Sequence, residues 1–589
     1  MCPKSMRVLP LFLFLILAFQ LVFGKPLDTI KVYSHAAVVS AYPIASQVGV
    51  DILKKGGSVV DAAIGVQFAL AVVFPQAGNI GGGGFMMIRN QGQNAHGKRS
   101  DPHYFALDYR ETAPKLAGRN MYLDSHGEVL KGESTEGLRA SGIPGAVDGM
   151  VQAYARFGHL PWKDLVEPAV RLAREGFILT EQEAASLNHE RNLFLKYNGP
   201  LCAFVKAEGE WKPGDRLIQP DLANTLSLIA EKGRAGFYEG EVANRLVEQM
   251  KAPLRDSSKG LIRLEDLKNY KAIWREPLIG SYKKYKIITM PPPSSGGITL
   301  FQILSMVEPF PISRYGFGSV SYVHLTVEAQ RRAFADRTYY LGDPDFVDMP
   351  LKTLLSKSYL RKRFLDFDSL KATPSEKVKQ GEIEHYATIQ EHIRKEKEET
   401  THFSVADSNG NAVSVTTTLN GGFGSAVVAS GDGFLLNNEM DDFSVKPGVP
   451  NLYGLIGGET NAIQPGKRML SSMTPTLVDS AGLLYMVVGS PGGSTIPNTV
   501  YQTLMNVLEF RMSMPQAVAS GRFHSQWLPD KIILEKGALN ESTLKELEKE
   551  GHSILVRGGM GRCDAIRINK NGKIEPGADP RGDDQGFGY

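Results

Sequence analysis

The feature that most constrains this chain is an abrupt change of character at residue 400. From Lys371 onward Lys, Glu and His dominate, and between His392 and Glu399 the only apolar residue is Ile393. Such a stretch cannot bury enough surface to offset its ordering entropy, so the segment up to Thr400 is expected to be exposed and mobile. Thr400-Thr401-His402-Phe403-Ser404-Val405-Ala406 then reads as a strand, Asp407-Ser408-Asn409-Gly410 as a turn, and Asn411 to Leu419 as a second, alternating strand. A two-residue loop in this hairpin sets Thr418 across from Thr401, and a three-residue loop sets it across from Thr400. Either register brings Thr418 beside the start of the strand.

The rest of the chain supports a large α/β protein. At 589 residues, 42% hydrophobic and 22% charged, it can bury an extensive core. The net charge is +3, from 66 basic and 63 acidic residues, and no nucleic-acid-binding motif is present, so nucleic-acid partners are disfavoured. Lys4 and Arg7 precede an apolar run from Val8 to Phe23, interrupted by Pro10 and Gln20. This is the order of a secretory signal, and the run falls short of the roughly 20 residues a spanning helix needs. Residues 1–24 are therefore expected to be a signal peptide ending at Gly24, and the protein to be exported to a periplasmic or extracellular space; an uncleaved membrane anchor is the alternative. Beyond Cys2, the cysteines are Cys202 and Cys563, with no CxxC pair and no His cluster at zinc spacing. Two unpaired, buried thiols and no metal site are expected.

Along the chain, Tyr42 to Phe74 has helical spacing broken at Gly56-Gly57, with Ser58 and Asp61 forming a capping signal for the second helix. Gly81 to Gly84 lack the Lys-Ser or Lys-Thr of a phosphate loop, and predict close backbone packing at the entry to a buried strand. Helical patterns at Leu222 to Lys232 and Val242 to Met250 alternate with short strands such as Tyr285 to Met290. Pro291 to Gly297 predicts a rigid turn with a flexible end.

Threonine is a good strand former, so Thr400-Thr401 alone points to no chemistry. Its company does. Gln76-Ala77-Gly78-Asn79 with the glycine run, Asp108 to Glu111, Pro291 to Gly297, Thr400 to Val405, Asn437 to Phe443, Lys467 to Met473 and Gly489 to Ser494 follow one another in an order that resembles the gamma-glutamyltranspeptidases. The resemblance spans nearly the whole chain after the signal.

It implies an N-terminal nucleophile hydrolase, a four-layer α/β/β/α sandwich made as one precursor and cut between Glu399 and Thr400. Residues 25–399 would form a large subunit and 400–589 a small one, paired as a heterodimer. Thr400 would be the nucleophile, Thr418 would orient its hydroxyl, and Gly492 and Gly493 would supply the oxyanion hole. Arg110 with Ser471 and Ser472 would hold a substrate α-carboxylate, and Asn420, Glu439 and Asp442 its α-ammonium. Many bacterial relatives carry glutamine where this chain has Glu439. Gly448 to Gly454 resembles a lid loop whose Tyr453 would close the pocket, which argues for glutathione-like donors. No cofactor is implied; acceptors would be water, amino acids or short peptides. A sister acylase or poly-glutamate-processing transferase, and a secreted binding protein that never matures, are the alternatives.

Each residue has a plainer role in isolation: Arg110 between Asp108 and Glu111 could be a surface charge pair, Asp441-Asp442 a turn cap, and Gly492-Gly493 a tight turn.

Overall fold

The computed structural model describes residues 30–92, 99–251, 258–384, 400–449, 451, 455 and 457–589. The expected signal segment, Glu399 and Tyr453 lie outside the described residues. Two antiparallel sheets form the centre. One has seven strands in the order Gln585–Gly588, Ala36–Ser40, Thr401–Asp407, Ala412–Thr418, Gly83–Asn90, His103–Asp108 and Ile273–Arg275. The other has six, in the order Ile574–Gly577, Ala565–Ile568, Leu483–Val488, Thr476–Ser480, Tyr285–Thr289 and Leu278–Tyr282.

Side-chain alternation builds the layers. Val38, Met86, Ile88, Phe403, Val405, Val413 and Val415 point from the first sheet into one core, shared with helices Pro43–Lys54 and Val59–Val73. Their neighbours Ala37, Val39, Phe85, Met87, Ala406 and Ala412 face the second sheet and a separate core. Helices Gly296–Val307, Val320–Tyr340 and Ile496–Leu508 contribute to that second core, completing a four-layer α/β/β/α sandwich. Between the sheets the packing is partly polar: Arg89 pairs with Asp479 at 2.9 Å, Ser414 Oγ donates to the Val488 carbonyl and Ser404 Oγ to that of Asp564.

The helix pair at the start ends and begins as the glycines and cap require. Ser58 accepts from the Asp61 N–H while Asp61 accepts from the Ser58 N–H, the reciprocal capping box. The glycine run does enter a buried strand: a Cβ on Gly82 would stand 2.1 Å from the Thr418 carbonyl oxygen. Asn79 Nδ2 donates to the same oxygen at 3.0 Å, so this loop fixes the end of the hairpin strand.

Two expectations are corrected. Residues 371–384 are not wholly exposed: Ser375 and Val378 are buried, and their carbonyls both accept from the Trp527 indole N–H. Thr373 donates to Glu328, so a polar composition is held down by hydrogen bonds in place of apolar burial. Gly296 and Gly297 are not a flexible end but the buried first turn of a helix, where a Cβ on Gly296 would collide with Thr474 Oγ1. Cys202 and Cys563 are both free thiols; Cys563 is buried and Cys202 partly exposed.

Candidate active site

The hairpin takes the register of a three-residue loop. Ala412 pairs with Ala406 and Thr417 with Thr401, which carries Thr418 to a position opposite Thr400. Both threonines fall on the face with Ala406 and Ala412, between the sheets. Their hydroxyls are 3.4 Å apart and both residues are buried. Further along that face, His402 bonds Thr416 and Ser404 through its two ring nitrogens, and burial lowers its pKa to about 3. It is a neutral structural imidazole packed below the threonines, its ring filling the space beside Gly489.

From the facing sheet, strand Leu483–Val488 leads into Gly492 and Gly493, both with positive φ (126° and 51°). Glycine tolerates this backbone at no steric cost. Among the described residues no group accepts a hydrogen bond from either N–H. Gly493 lies on the wall of a small cavity whose lining also includes Thr400, Thr418, Asn420, Arg110, Asp442, Ser471 and Ser472. Segments separated by almost four hundred residues thus converge on one cavity.

Arg110 is not a surface residue. It is 1% exposed, pairs with Glu439 and with Asp442 at 2.5 Å each, and has Glu111 at 3.6 Å. The three carboxylates hold its pKa above the ordinary value against the opposing effect of burial. Glu439 therefore sits behind Arg110. Asp441 turns away to accept from Ser134, leaving Asp442 to face the cavity. Asn420 has positive φ (76°), which swings its amide to the Asn438 carbonyl and its backbone to Thr418 Oγ1.

Three residues escape sequence reasoning. Arg337, in helix Val320–Tyr340, reaches the cavity wall and donates to Ser295 Oγ at 2.9 Å and Ser472 Oγ at 3.3 Å. Burial lowers its pKa to about 10 despite the nearby Asp442 carboxylate. Ser295 Oγ in turn donates to the Ser471 carbonyl, so Arg337 supports both serines. Asn451, within the expected lid, donates to Asp442 at 3.0 Å, and with Val449 and Leu455 it lines the cavity. Glu111, fully buried, has no hydrogen-bond partner for either carboxylate oxygen among the described residues. The Asp-Tyr-Arg-Glu motif contains Glu111, but nothing in that motif distinguishes it from a charge facing solvent.

The gamma-glutamyltranspeptidase family model matches residues 45–589. The glutathione hydrolase proenzyme of Escherichia coli (strain K12) is 44% identical over 554 residues, which is 94% of this chain and 91% of that protein. The acylase ACY 1 proenzyme of Pseudomonas sp. (strain V22) is 34% identical over 562 residues, 93% of each. Among solved structures, a cephalosporin acylase from Bacillus halodurans superposes with a TM-score of 0.81 at 24% identity, over 96% of this chain and 98% of that one, and shows the same fold. With its family model covering all but the first 44 residues and these relatives matched along most of their length, the chain belongs to the gamma-glutamyltranspeptidase family.

Proposed function

We propose that the protein is a self-cleaving γ-glutamyltransferase and glutathione hydrolase that uses Thr400 first to cut its own chain and then as its catalytic nucleophile. One observation carries this: the Thr400 hydroxyl, 3.4 Å from that of Thr418, opens into the same cavity as Arg110, Asp442, Ser471, Ser472 and Gly493.

In the precursor the Thr400 hydroxyl attacks the Glu399 carbonyl. The peptide C–N bond breaks, the nitrogen leaves as the Thr400 α-amine, and the resulting ester is hydrolysed by water. The cut leaves residues 25–399 and 400–589 associated. Strands Thr401–Asp407 and Ala412–Thr418 lie between Ala36–Ser40 and Gly83–Asn90, so the two pieces share one sheet and separate only by unfolding it. Cleavage also creates the base. A free α-amine has an ordinary pKa of about 7.7–8.0 and can take the proton from a hydroxyl that is otherwise a poor nucleophile.

Catalysis then follows a ping-pong course. Arg110, Ser471 and Ser472 hold the donor's α-carboxylate, with Arg337 reinforcing the serines; Asn420 and Asp442 take the α-ammonium, and Glu439, buried behind Arg110, adds its negative charge to that side of the pocket. This fixes the γ-carbonyl beside Thr400 Oγ1. Attack develops negative charge on the carbonyl oxygen, which the Gly492 and Gly493 N–H groups stabilise. Collapse releases the amine, cysteinylglycine when glutathione is the donor, and leaves a γ-glutamyl ester on Thr400. Water or the amine of an amino acid or short peptide completes the reaction. The segment carrying Val449, Asn451 and Leu455 acts as a lid, limiting water at the ester. Tyr453 is assigned to the same lid, and residues 1–24 to export.

The acylase relative raises a second reading, in which the donor is a glutaryl amide. The buried carboxylates Glu439 and Asp442 favour a donor with an α-ammonium, which glutaryl lacks. Turnover of a γ-glutamyl anilide against a glutaryl anilide and poly-glutamate decides it: the γ-glutamyl substrate is expected to be preferred by at least tenfold, and an equal or reversed preference would reject the assignment.

A further inference from the structure

Two guanidinium groups stand in the cavity wall, Arg110 and Arg337, and they differ in what already balances them. Arg110 Nη1 meets Glu439 Oε2 at 2.5 Å and has Glu111 at 3.6 Å, while its Nη2 meets Asp442 Oδ2 at 2.5 Å. Three carboxyl groups share its one charge, so Arg110 can direct N–H groups at a ligand but has no unmatched charge to offer it. Arg337 is only 4% exposed and forms no ion pair among the described residues. Its hydrogen bonds go to two neutral hydroxyls, Ser295 Oγ at 2.9 Å and Ser472 Oγ at 3.3 Å. Asp442 attracts it from beyond ion-pair distance, which does not offset burial; its pKa falls to about 10, and it is still a cation at neutral pH. Buried charges in folded proteins are as a rule paired, and the one left over here lines the cavity.

The hydroxyls around Arg337 are arranged to pass its charge on. Ser472 Oγ accepts from Arg337 Nη2 and donates to no acceptor among the described residues, so its own O–H is free to turn toward a ligand in the cavity. Ser471 Oγ accepts from the Met473 N–H, and its hydrogen is likewise uncommitted among the described residues. Ser295 Oγ accepts from Arg337 Nε and donates to the Ser471 carbonyl, tying the same guanidinium to the backbone of the serine turn. A hydroxyl that accepts from a cation becomes a stronger donor in its turn.

We propose that Arg337 is the positioning residue that makes the carboxylate end of the pocket select an anion, its charge reaching the donor's α-carboxylate through the Ser472 hydroxyl. The proposal rests on the reading that places that carboxylate at Ser471 and Ser472. A donor arrives as a zwitterion. With its α-carboxylate beside Ser472 and its α-ammonium beside Asp442, each charge meets one of opposite sign, the cavity gains no net charge and no proton has to move. A neutral group in place of the α-carboxylate would leave Arg337 unmatched, and that penalty is the source of the selectivity.

The test compares two donors on the mature enzyme: a γ-glutamyl anilide and its α-carboxamide, in which a neutral group of nearly the same shape replaces the carboxylate. Wild type is expected to prefer the carboxylate strongly in kcat/KM. Arg337→Gln removes the charge and keeps a hydrogen-bond donor. It should lose about tenfold or more of that preference, through a raised KM for the carboxylate donor at nearly constant kcat, with the carboxamide little affected. Arg337→Lys keeps the charge and should keep most of the preference. Ser472→Ala cuts the connection while leaving the guanidinium in place and should lose the preference as Arg337→Gln does, which keeps the test decisive if Arg337→Gln fails to fold. Undiminished preference in Arg337→Gln or Ser472→Ala, an equal loss for both donors, or a loss in Arg337→Lys as large as in Arg337→Gln overturns the proposal while leaving the pocket assignment standing. A wild type that uses the two donors equally overturns the placement of the α-carboxylate, and the proposal with it.

Discussion

Thr400 and Thr418 stand opposite each other at the open end of one hairpin, their hydroxyl oxygens 3.4 Å apart, in the cavity they share with Gly493. The loop Ser408-Asn409-Gly410 sets the register, and the register decides which threonine is oriented. Asn79 and Gly82 then lock the Thr418 backbone from the neighbouring loop.

Thr418→Ala removes the hydroxyl beside the nucleophile and little packing. One neutral hydrogen bond contributes about 0.5–1.5 kcal/mol, so kcat should fall about tenfold with KM nearly unchanged. Steady-state kinetics with a γ-glutamyl anilide check this. A rise in KM at constant kcat would instead place Thr418 in ground-state binding.

Arg110→Lys keeps the charge and loses the planar fork that spans Glu439 and Asp442. KM for the donor should rise by about 10–100-fold, equivalent to about 1.4–2.7 kcal/mol, while self-cleavage persists. Gel analysis of maturation beside donor kinetics separates the two effects. A variant that neither matures nor folds would show that Arg110 is chiefly structural.

Arg337→Ala removes the donor that holds Ser472 and Ser295. Donor KM should rise by about tenfold, since hydrogen bonds to a charged group contribute about 1.5–3 kcal/mol and the serines retain their backbone contacts. The affinity of L-glutamate, measured directly, should weaken in parallel.

Acid stability provides a further check. His402 is neutral in the folded protein, with a pKa near 3, against about 6.5 when unfolded. Between these values the unfolded chain binds the extra proton, so this residue's contribution to stability is full above pH 6.5 and is lost progressively as pH falls toward 3. The slope approaches about 1.4 kcal/mol per pH unit. The difference in unfolding free energy between wild type and His402→Gln, followed from pH 7 to 4, should shrink with that sign; a pH-independent difference would show that His402 is accommodated as a cation. Buried carboxylates such as Glu111 titrate in the opposite sense, but they are common to both proteins and drop out of the difference.

The fold and much of the site were legible in the sequence where chemistry is local. Strand alternation put Thr400 and Thr418 together, the capping box located a helix start, and the glycine run announced a close approach that proves to be to Thr418. The residues missed reach the site from a distance. Arg337 is one of three arginines on helix Val320–Tyr340, where such a residue reads as solvated, and only the packing of that helix against the serine turn brings it to the cavity. The charged segment misled in part because Ser375 and Thr373 are held by hydrogen bonds to Trp527 and Glu328, partners that no local pattern reveals.

The central claim is that Thr400 is both the cut site and the nucleophile, and N-terminal sequencing of the smaller band from purified protein tests it most directly. The predicted result is a small subunit beginning Thr400-Thr401-His402-Phe403 in wild type and a single uncut chain in Thr400→Ala. An active wild-type protein that remains one chain, or a small subunit beginning at another residue, would contradict it.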